Sequence, residues 1–283
     1  MTGLFGRQQR TRFPSGQVAA VTGAASGIGR AIALRLAASG VALTLADTDG
    51  PGLNAVAAEI RSAGGKVEHR TVDVRRAAEV NAWADESVAS FGTVTMVWNV
   101  AGIINAGSVV DSTVEDLALL MDVDFWGVVH VTKAFLPHLI GAGGGHVVNV
   151  SSAFGLISAP GYSGYNAAKA AVRGWSDALR QEMHSTGTGV AVTAVYPGGI
   201  RTPIMRNATS AAGPDDARRR REFFDRHVAR TDPDRAADTI IRAVAARRSR
   251  VLVGPDAYVA DALARLTATG YEHLIRKPPR PRW

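Results

Sequence analysis

The sequence predicts an α/β protein in which one doubly wound parallel sheet carries helices on both faces. Short apolar runs of strand length alternate with longer stretches of helical periodicity along most of the chain. Hydrophobic residues make up 46% of the chain and glycine occurs 30 times, which suits buried strands joined by tight turns. Such alternation is typical of parallel strands linked by right-handed crossovers. The predicted strands span residues 18–22, 41–46, 67–72, 94–99, 146–151, 190–196 and 251–254.

The junction between the first strand and the following helix is rich in glycine. The apolar run 18–21 ends there, and residues 30–38 continue with an apolar stripe at helical spacing. Glycine allows a close approach of the backbone to a ligand, and the N–H groups at a helix N-terminus attract phosphate. An ordinary tight turn is the alternative, but three glycines in this context favour a cradle for a dinucleotide. The predicted cradle comprises Gly23, Ser26, Gly27, Ile28 and Gly29.

An acidic residue follows the second predicted strand. Asp47 lies 18 residues beyond Gly29, which suits a carboxylate that accepts hydrogen bonds from the adenosine ribose. The same carboxylate would repel a 2′-phosphate, and no Arg or Lys follows closely to receive one. Capping of the next helix is the alternative role for Asp47. The sequence therefore predicts NAD as the cofactor in preference to NADP.

Tyr165 and Lys169 have the spacing of neighbours on one face of a helix. A nearby ammonium group stabilises a phenolate, so we expect Lys169 to lower the pKa of Tyr165. A tyrosine tuned in this way can donate or accept the proton of an alcohol or a carbonyl. The pattern alone is not specific, and a packed Tyr165 beside a solvated Lys169 is the alternative.

Together, these motifs resemble those of the short-chain dehydrogenase/reductase family. The glycine turn reads TGAASGIG over residues 22–29, and the family's NNAG motif appears as NVAG over residues 99–102. Ser152 lies 13 residues before Tyr165, which is the spacing of the family's catalytic serine. Pro197-Gly198, followed by Thr202, matches the family segment that lines the nicotinamide. The resemblance covers about residues 16–254 and implies a Rossmann-type fold.

The resemblance implies an oxidoreductase that transfers a hydride between NAD and an alcohol or ketone. In that scheme Tyr165 is the general acid/base, Lys169 also holds the nicotinamide ribose, and Ser152 stabilises charge on the substrate oxygen. A turn-closing Asn99 and a purely structural Ser152 are the alternatives. The histidines show no ligand spacing, so no metal site is predicted. Besides the cradle and Asp47, the implied cofactor site contains Asp73, Val74, Asn99, Ala101, Gly102, Tyr165, Lys169, Pro197, Gly198, Ile200 and Thr202.

One position departs from the family pattern. The family carries an asparagine three residues before a glycine in its fourth helix, where this chain has Asp124 before Gly127. As the resemblance implies, the asparagine supports a water relay to the lysine through its main-chain carbonyl, which Asp124 retains. A carboxylate here would also change the electrostatic surroundings of Lys169. We therefore predict a catalytic set of Ser152, Tyr165 and Lys169, with Asp124 in the place of the asparagine.

The chain is predicted to form a single domain with additions at both ends. A flexible basic tail covers residues 1–15, the catalytic domain covers 16–254 with a lid segment at about 202–230, and a C-terminal helical extension covers 255–283. The extension has apolar residues at helical spacing, with a possible break at Gly270, and ends in cations and prolines. We expect it to pack on its own domain or on a neighbouring subunit, and packing near the lid would let it shape the substrate pocket. Docking on anionic lipid is the alternative.

Composition limits the classes of partner. The net charge is +7, but the excess cations lie in residues 1–12 and 201–283, and the segment between them is mildly acidic. The run Arg218–Arg221 is interpreted as a solvated helix face, so no nucleic-acid partner is expected. The sequence has no membrane-length apolar run, no signal-peptide core and no cysteine, which favours a cytoplasmic protein. Broad apolar faces on helices expected over 114–140 and 165–184 predict a homodimer or homotetramer, as the resemblance also implies.

The substrate is predicted to be an apolar alcohol or ketone. Apolar residues lie between the catalytic serine and tyrosine and at the start of the lid, although they could equally pack on one another: Phe154, Leu156, Ile157, Tyr162, Ile204 and Met205. Two other functions remain open. One is an NAD-binding sensor or scaffold without turnover, and the other is a ketoacyl reductase of lipid synthesis. Asp47 opposes the second, because such enzymes generally use NADP.

Overall fold

Seven parallel strands form the central sheet of the computed structural model, which describes residues 13–275. The strand order is β3-β2-β1-β4-β6-β7-β9, so the direction of winding reverses between β1 and β4. Ligands bind at such a switch point, beyond the carboxyl ends of the strands. The predicted doubly wound sheet is confirmed, with small shifts at the strand ends. The sheet strands are β1 (Val18–Thr22), β2 (Ala42–Asp47), β3 (Val67–Thr71), β4 (Met96–Asn99), β6 (Gly145–Val150), β7 (Val190–Pro197) and β9 (Arg250–Val253), and the two-residue strands β5 (Asn105–Ala106) and β8 (Thr209–Ser210) pair separately.

Helices connect the strands and cover both faces of the sheet. They are α1 (Gly27–Ala38), α2 (Gly50–Ser62), α3 (Ala77–Phe91), α4 (Val114–Met121), α5 (Gly127–Gly141), α6 (Ser163–Ser185), α7 (Pro214–His227), α8 (Pro233–Ala245), α9 (Pro255–Thr267) and α10 (Glu272–Ile275). Helix α7 and the short turn Pro203–Met205 lie in the predicted lid segment.

Two hydrophobic cores, one on each face, fix the positions of the strands. On one face α1 and α8 contribute Ile32 and Ile240. On the other face Trp83 of α3 meets Phe135 of α5 edge to face, with ring centroids 4.8 Å apart. Each such large side chain contributes about 1.5–3 kcal/mol when it is fully buried. The sheet is therefore a rigid support for the loops at its carboxyl edge.

The long helix predicted over residues 114–140 is interrupted. Helix α4 ends at Met121, a π-helical turn spans Asp122–Trp126, and α5 begins at Gly127. A π turn accommodates one extra residue within a helix and is frequent at functional sites. Apolar periodicity does not encode such an insertion, which is why the sequence predicted one continuous helix. The turn places the side chain of Asp124 in the interior, where it is 0% exposed.

The C-terminal extension packs on its own domain. Ala257 and Ala260 of α9 are buried against Ala153 and Ile157, which follow β6. The hydroxyl of Tyr271 accepts a hydrogen bond from the main-chain N–H of Ser158 at 3.2 Å. These contacts agree with the expected packing of the extension on its own domain, and they lie on the segment that follows β6. The expected break near Gly270 is confirmed, since α9 ends at Thr267 and α10 begins at Glu272.

Parts of both predicted tails lie outside the described residues. The predicted loose tail falls mainly on residues 1–12, and the cations Arg276, Lys277, Arg280 and Arg282 fall beyond residue 275. Phe13 belongs to the segment predicted as a tail. It is half-buried and packs on the hydrophobic core that contains Ile32 and Ile240. Between residues 13 and 275, none of the helices has the length and hydrophobicity needed to cross a membrane.

Candidate active site

A cavity of about 690 Å³ lies at the carboxyl edge of the sheet. It runs from the glycine turn after β1, past the ends of β2 and β4, to the segments that follow β6 and β7. The structure brings most of the predicted site residues to this cavity. Those that line it are Gly23, Ser26, Gly27, Ile28, Gly29, Asp47, Asp73, Val74, Ala101, Gly102, Ser152, Tyr165, Lys169, Pro197, Gly198, Ile200 and Thr202.

The glycine turn is shaped for close backbone contact. Gly23 has φ +65°, and a Cβ added there would lie 2.8 Å from the main-chain nitrogen of Ala101. A Cβ at Gly29 would lie 2.0 Å from the carbonyl oxygen of Gly23. Ser26 precedes α1 without capping it through its side chain, so the first N–H groups of the helix face the cavity unblocked. This arrangement suits the pyrophosphate of a dinucleotide.

Asp47 supports the glycine turn from the end of β2. Its Oδ2 accepts a hydrogen bond from the main-chain N–H of Ala25 at 2.9 Å. The alternative helix-capping role is not the one seen, because Asp49 caps α2 by accepting from the N–H of Gly52 at 3.0 Å. Asp47 lines the cavity beside the glycine turn.

A cation near Asp47 was not anticipated from the sequence. Arg75 follows β3 and lines the same cavity. Its guanidinium binds the carboxylate of Asp73, with Nη2 at 2.6 Å from Oδ2. Hydrogen bonds from Arg75 lower the pKa of Asp73 below its usual value. The guanidinium of Arg75 is thus already paired with the carboxylate of Asp73 on the same loop.

Asn99 is the one predicted cofactor-site residue that does not line the cavity. Its side chain is buried beneath the edge of the sheet, where Nδ2 donates to Thr132 Oγ1 at 3.0 Å and to Asn149 Oδ1 at 2.8 Å. Its chain neighbours Ala101 and Gly102 line the cavity instead. Burial at the end of a central strand requires the amide to find internal partners, so Asn99 ties β4 to β6 and α5.

Ser152, Tyr165 and Lys169 meet at the end of the cavity beyond β6. Ser152 lies at the start of the turn Ala153–Gly155, where its hydroxyl accepts a hydrogen bond from the N–H of Phe154 at 3.1 Å. The same hydroxyl is close enough to the phenol of Tyr165 to lower its pKa. Lys169 is 3% exposed, and its Nζ donates to the carbonyl of Val150 at 3.3 Å. A packed tyrosine beside a solvated lysine is thereby excluded, because both side chains are buried and both line the cavity.

The net shift of the Tyr165 pKa is upward, opposite to the direction expected from the spacing to Lys169. Burial raises that pKa well above its ordinary value, the Asp124 carboxylate adds to the increase, and the Ser152 hydroxyl opposes it. The Lys169 ammonium lies 5.6 Å from the centre of the tyrosine ring, over its face. It is also paired with Asp124, at 3.6 Å from Oδ2. The lysine charge is thus directed to the carboxylate rather than to the phenol.

Asp124 lies beside the ammonium of Lys169. Its Oδ1 accepts a hydrogen bond from the N–H of Ile103 at 2.8 Å, and its Oδ2 makes no hydrogen bond besides the Lys169 ion pair. Removal from water raises the pKa of Asp124, against the opposing effects of Lys169 and the Ile103 N–H. The predicted proximity of the carboxylate to Lys169 is confirmed.

The outer part of the cavity is apolar. Phe154, Ile204 and Met205 line it as predicted. Leu156, Ile157 and Tyr162 do not, which corrects their predicted role: Ile157 packs toward α9, and Tyr162 packs against Phe154. Other apolar side chains complete the wall, and these are Ile103, Ile104, Leu119, Phe224 and Val228. They come from separate loops and helices, so no local motif marks them.

The arginine run of the lid is only partly a solvated face. Arg218 and Arg219 are exposed, as predicted, but the guanidinium of Arg220 lies 5.3 Å from the ring centre of Tyr162. Asp216 holds Arg220 by a hydrogen bond of 2.5 Å from Nε. This contact attaches α7 to the segment that precedes the catalytic tyrosine. Within residues 13–275, no cluster of three or more His, Asp or Glu side chains is arranged to hold a metal ion.

The fold and the cavity define a dinucleotide-binding oxidoreductase, and comparison with known proteins identifies its family. The model of the short chain dehydrogenase family matches residues 17–213. A Mycobacterium tuberculosis protein described as an oxidoreductase, SadH, is 50% identical over 260 residues, which are 92% of this chain and 94% of that protein. The chain belongs to the short-chain dehydrogenase/reductase family and is an NAD(P)-dependent oxidoreductase that acts on CH–OH groups.

Two further relatives illustrate the range of the similarity. The dehydrogenase LinX of Sphingobium indicum, named for a 2,5-dichloro-2,5-cyclohexadiene-1,4-diol, is 37% identical over 193 residues, or 68% of this chain and 76% of that protein. A solved structure of a family member from Burkholderia phymatum, in complex with NAD, superposes with a TM-score of 0.82 at 30% identity, covering 94% of this chain and 98% of the other.

Proposed function

We propose that the chain catalyses reversible hydride transfer between NAD(H) and an apolar secondary alcohol or its ketone. One observation carries the proposal: Ser152, Tyr165 and Lys169 lie in the same continuous cavity as the glycine turn, next to an apolar outer wall. The cofactor would be held by the glycine turn, Asp47 and the segment that follows β7. When bound, it supplies the hydride acceptor or donor.

The protein's part in the proposed reaction is to move one proton and to stabilise one oxygen. In the direction of reduction, the phenol of Tyr165 donates its proton to the substrate oxygen, and its raised pKa keeps it protonated until then. The Ser152 hydroxyl lies at the phenol and can hydrogen-bond the same substrate oxygen as charge develops. In the direction of oxidation, the phenolate form of Tyr165 receives the alcohol proton, and the Ser152 hydroxyl favours that form because it lowers the pKa of the phenol.

The apolar wall supports the choice of substrate class. Ile103, Ile104, Met205 and Phe224 surround the space beyond the catalytic residues, and Asn207 adds one amide at its margin. A substrate carbon skeleton that replaces water here gains about 25 cal/mol for each Å² of apolar surface it buries. Turnover of a series of secondary alcohols of increasing chain length, followed by the absorbance of reduced nicotinamide, tests this assignment. We expect kcat/KM to rise with chain length, whereas a preference for short or charged alcohols would contradict it.

The same proposal assigns NAD rather than NADP. The supporting features are the position of Asp47 on the cavity and the engagement of Arg75 by Asp73. Asp47→Ala should lower kcat/KM with NAD by about 10-fold to 100-fold, as expected for the loss of a hydrogen bond to a charged group, and should narrow the preference over NADP. Asp47→Asn is the matched variant, because it removes the charge but keeps an oxygen that can accept from the Ala25 N–H. A wild-type enzyme that uses NADP better than NAD would contradict the assignment.

We also propose that the chain forms a homodimer or homotetramer through the helices that follow β4 and β6. Apolar side chains on this surface are exposed in the single chain: Val114 by 75%, Trp126 by 47% and Ile140 by 40%. A self-complementary apolar surface favours closed symmetric assembly.

A further inference from the structure

The C-terminal extension brings one carboxylate to the cavity described above. Asp256 lies in the first turn of α9 and lines the cavity together with Pro197, Gly198 and Gly199. The residues from 255 onward lie beyond the segment that the family motifs cover, and no motif of the sequence marks Asp256. Its contacts nevertheless fall on the segment that follows β7.

Asp256 binds the backbone of that segment directly. Its Oδ2 accepts a hydrogen bond from the N–H of Gly199 at 2.5 Å. The same short segment is held from two other sides. The N–H of Gly198 donates to the carbonyl of Val253 at 2.9 Å, and the carbonyl of Gly199 accepts from the N–H groups of Arg230 and Thr231.

The absence of a side chain at Gly198 is explained by this contact. A Cβ at Gly198 would lie 2.1 Å from Oδ1 of Asp256 and 2.2 Å from its carboxyl carbon. Gly198 does not have a positive φ, so its backbone conformation is open to other residues. The close approach of the Asp256 carboxylate is therefore what requires glycine here.

The segment held by Asp256 adjoins the reacting end of the cavity. Strands β6 and β7 are paired with Val150 opposite Val195. Continuing this register by two residues places Pro197 level with Ser152 at the carboxyl edge of the sheet. A displacement of Gly198 and Gly199 would thus move the wall of the cavity beside Ser152 and Tyr165.

The extension also binds the other side of the reacting end. Ala257 packs on Ala153, the residue after Ser152, and Tyr271 binds the N–H of Ser158. The extension therefore spans the two segments that follow β6 and β7. Among residues 255–275 of the extension, Asp256 is the one that lines the cavity.

We propose that Asp256 is a positioning residue that fixes the Gly198–Gly199 backbone against the nicotinamide end of the cofactor, so that the C-terminal extension sets the geometry of hydride transfer. The inference rests on the proposed function. Asp256 acts through Gly199, and its loss affects alignment more than affinity. Small misplacements of reacting groups cost up to about 100-fold in rate.

The first test compares three variants of the full chain. Asp256→Ala should lower kcat at saturating NAD by about 10-fold to 100-fold, with a smaller increase in the dissociation constant for NAD measured by protein fluorescence. Asp256→Asn keeps an oxygen that can accept from the Gly199 N–H and should restore most of the rate. Asp261→Ala removes the ion pair that Asp261 of α9 makes with Arg250, so it should lower the melting temperature and leave kcat unchanged.

A double-mutant cycle with Gly198 provides the second test. Gly198→Ala should lower kcat in the wild-type background. In the Asp256→Ala background it should lower kcat by a much smaller factor, because the carboxylate that obstructs the new methyl group is gone. Independent effects of the two changes would overturn the inference, as would a normal kcat for Asp256→Ala or an equal loss for Asp261→Ala. Absence of NAD-linked turnover in the wild type would instead refute the proposed function. In that case, NAD affinity is the readout: Asp256 and Gly198 are coupled if Gly198→Ala changes NAD affinity by different factors in the two backgrounds.

Discussion

Replacing Tyr165 with phenylalanine should lower kcat by about 10²-fold to 10⁴-fold, which is the usual contribution of a general acid/base. The change removes the proton that the reaction needs and keeps the ring, so the packing against Phe154 is retained. NAD binding should persist, because the glycine turn and Asp47 are not altered. Steady-state turnover and cofactor titration by fluorescence measure the two quantities separately.

Tyr196→Phe is the matched control for this experiment. Tyr196 is as deeply buried as Tyr165, but it lies in β7 with Arg250 over its ring and does not line the cavity. Removing its hydroxyl should therefore affect stability and not the chemical step. A Tyr165→Phe enzyme that keeps nearly the wild-type rate would refute the assigned proton donor, whatever the control shows.

Replacing Lys169 with methionine should destabilise the fold by about 3–5 kcal/mol, because it leaves the buried Asp124 carboxylate without its ion-pair partner. Activity should also be lost. Adding Asp124→Asn should restore most of the stability, since the amide oxygen can still accept from the N–H of Ile103, but it should not restore activity. Denaturant unfolding of the two single variants and the double variant gives the free energies.

The pH dependence of the Lys169→Met variant follows from the pKa of Asp124. Burial already raises that pKa, and loss of the ammonium removes an effect that lowers it. A carboxyl group whose pKa is raised in the folded state destabilises the fold as pH rises above the ordinary carboxyl pKa, because the unfolded chain ionises first. The loss of stability caused by Lys169→Met should therefore be small at acid pH and grow toward neutral and alkaline pH. Equal penalties at both ends of the range would mean that Asp124 is not the cause.

Asp124→Asn alone should leave activity unchanged or modestly raised, because it restores the residue expected for the family. If that single change abolished activity, the carboxylate itself would have a role in the proton relay. The comparison with Lys169→Met then shows which member of the buried pair the reaction needs.

The sequence predicted the sheet, the glycine turn and the proximity of Tyr165 to Lys169 because each is encoded locally. The turn glycines adjoin one strand and one helix, and Tyr165 and Lys169 lie on one helix. The motif of Asn99 fixes its chain position at the end of β4 and not the direction of its side chain. The amide turns inward to Thr132 and Asn149, which are distant in sequence.

Other features depended on contacts that no local pattern encodes. The π turn that buries Asp124 is a one-residue insertion in an otherwise regular helical pattern. Arg75 reaches the cavity from the loop after β3 and Asp256 from the first turn of α9, and no predicted role was attached to either residue. The pKa of Tyr165 was predicted in the wrong direction because spacing gives proximity to Lys169, whereas burial and the charge of Asp124 decide the outcome.

The most direct test of hydride transfer by this site uses an isotopically labelled substrate. The apolar secondary alcohol with the highest turnover is prepared with deuterium on its carbinol carbon and incubated with the enzyme and NAD, and the reduced cofactor is analysed by mass spectrometry. The proposed mechanism predicts one deuterium in each reduced nicotinamide formed by the wild-type enzyme. It also predicts that the Tyr165→Phe enzyme forms product at a rate at least about 10²-fold lower. Deuterium that appears in water instead of the cofactor, or undiminished transfer by the Tyr165→Phe enzyme, would contradict it.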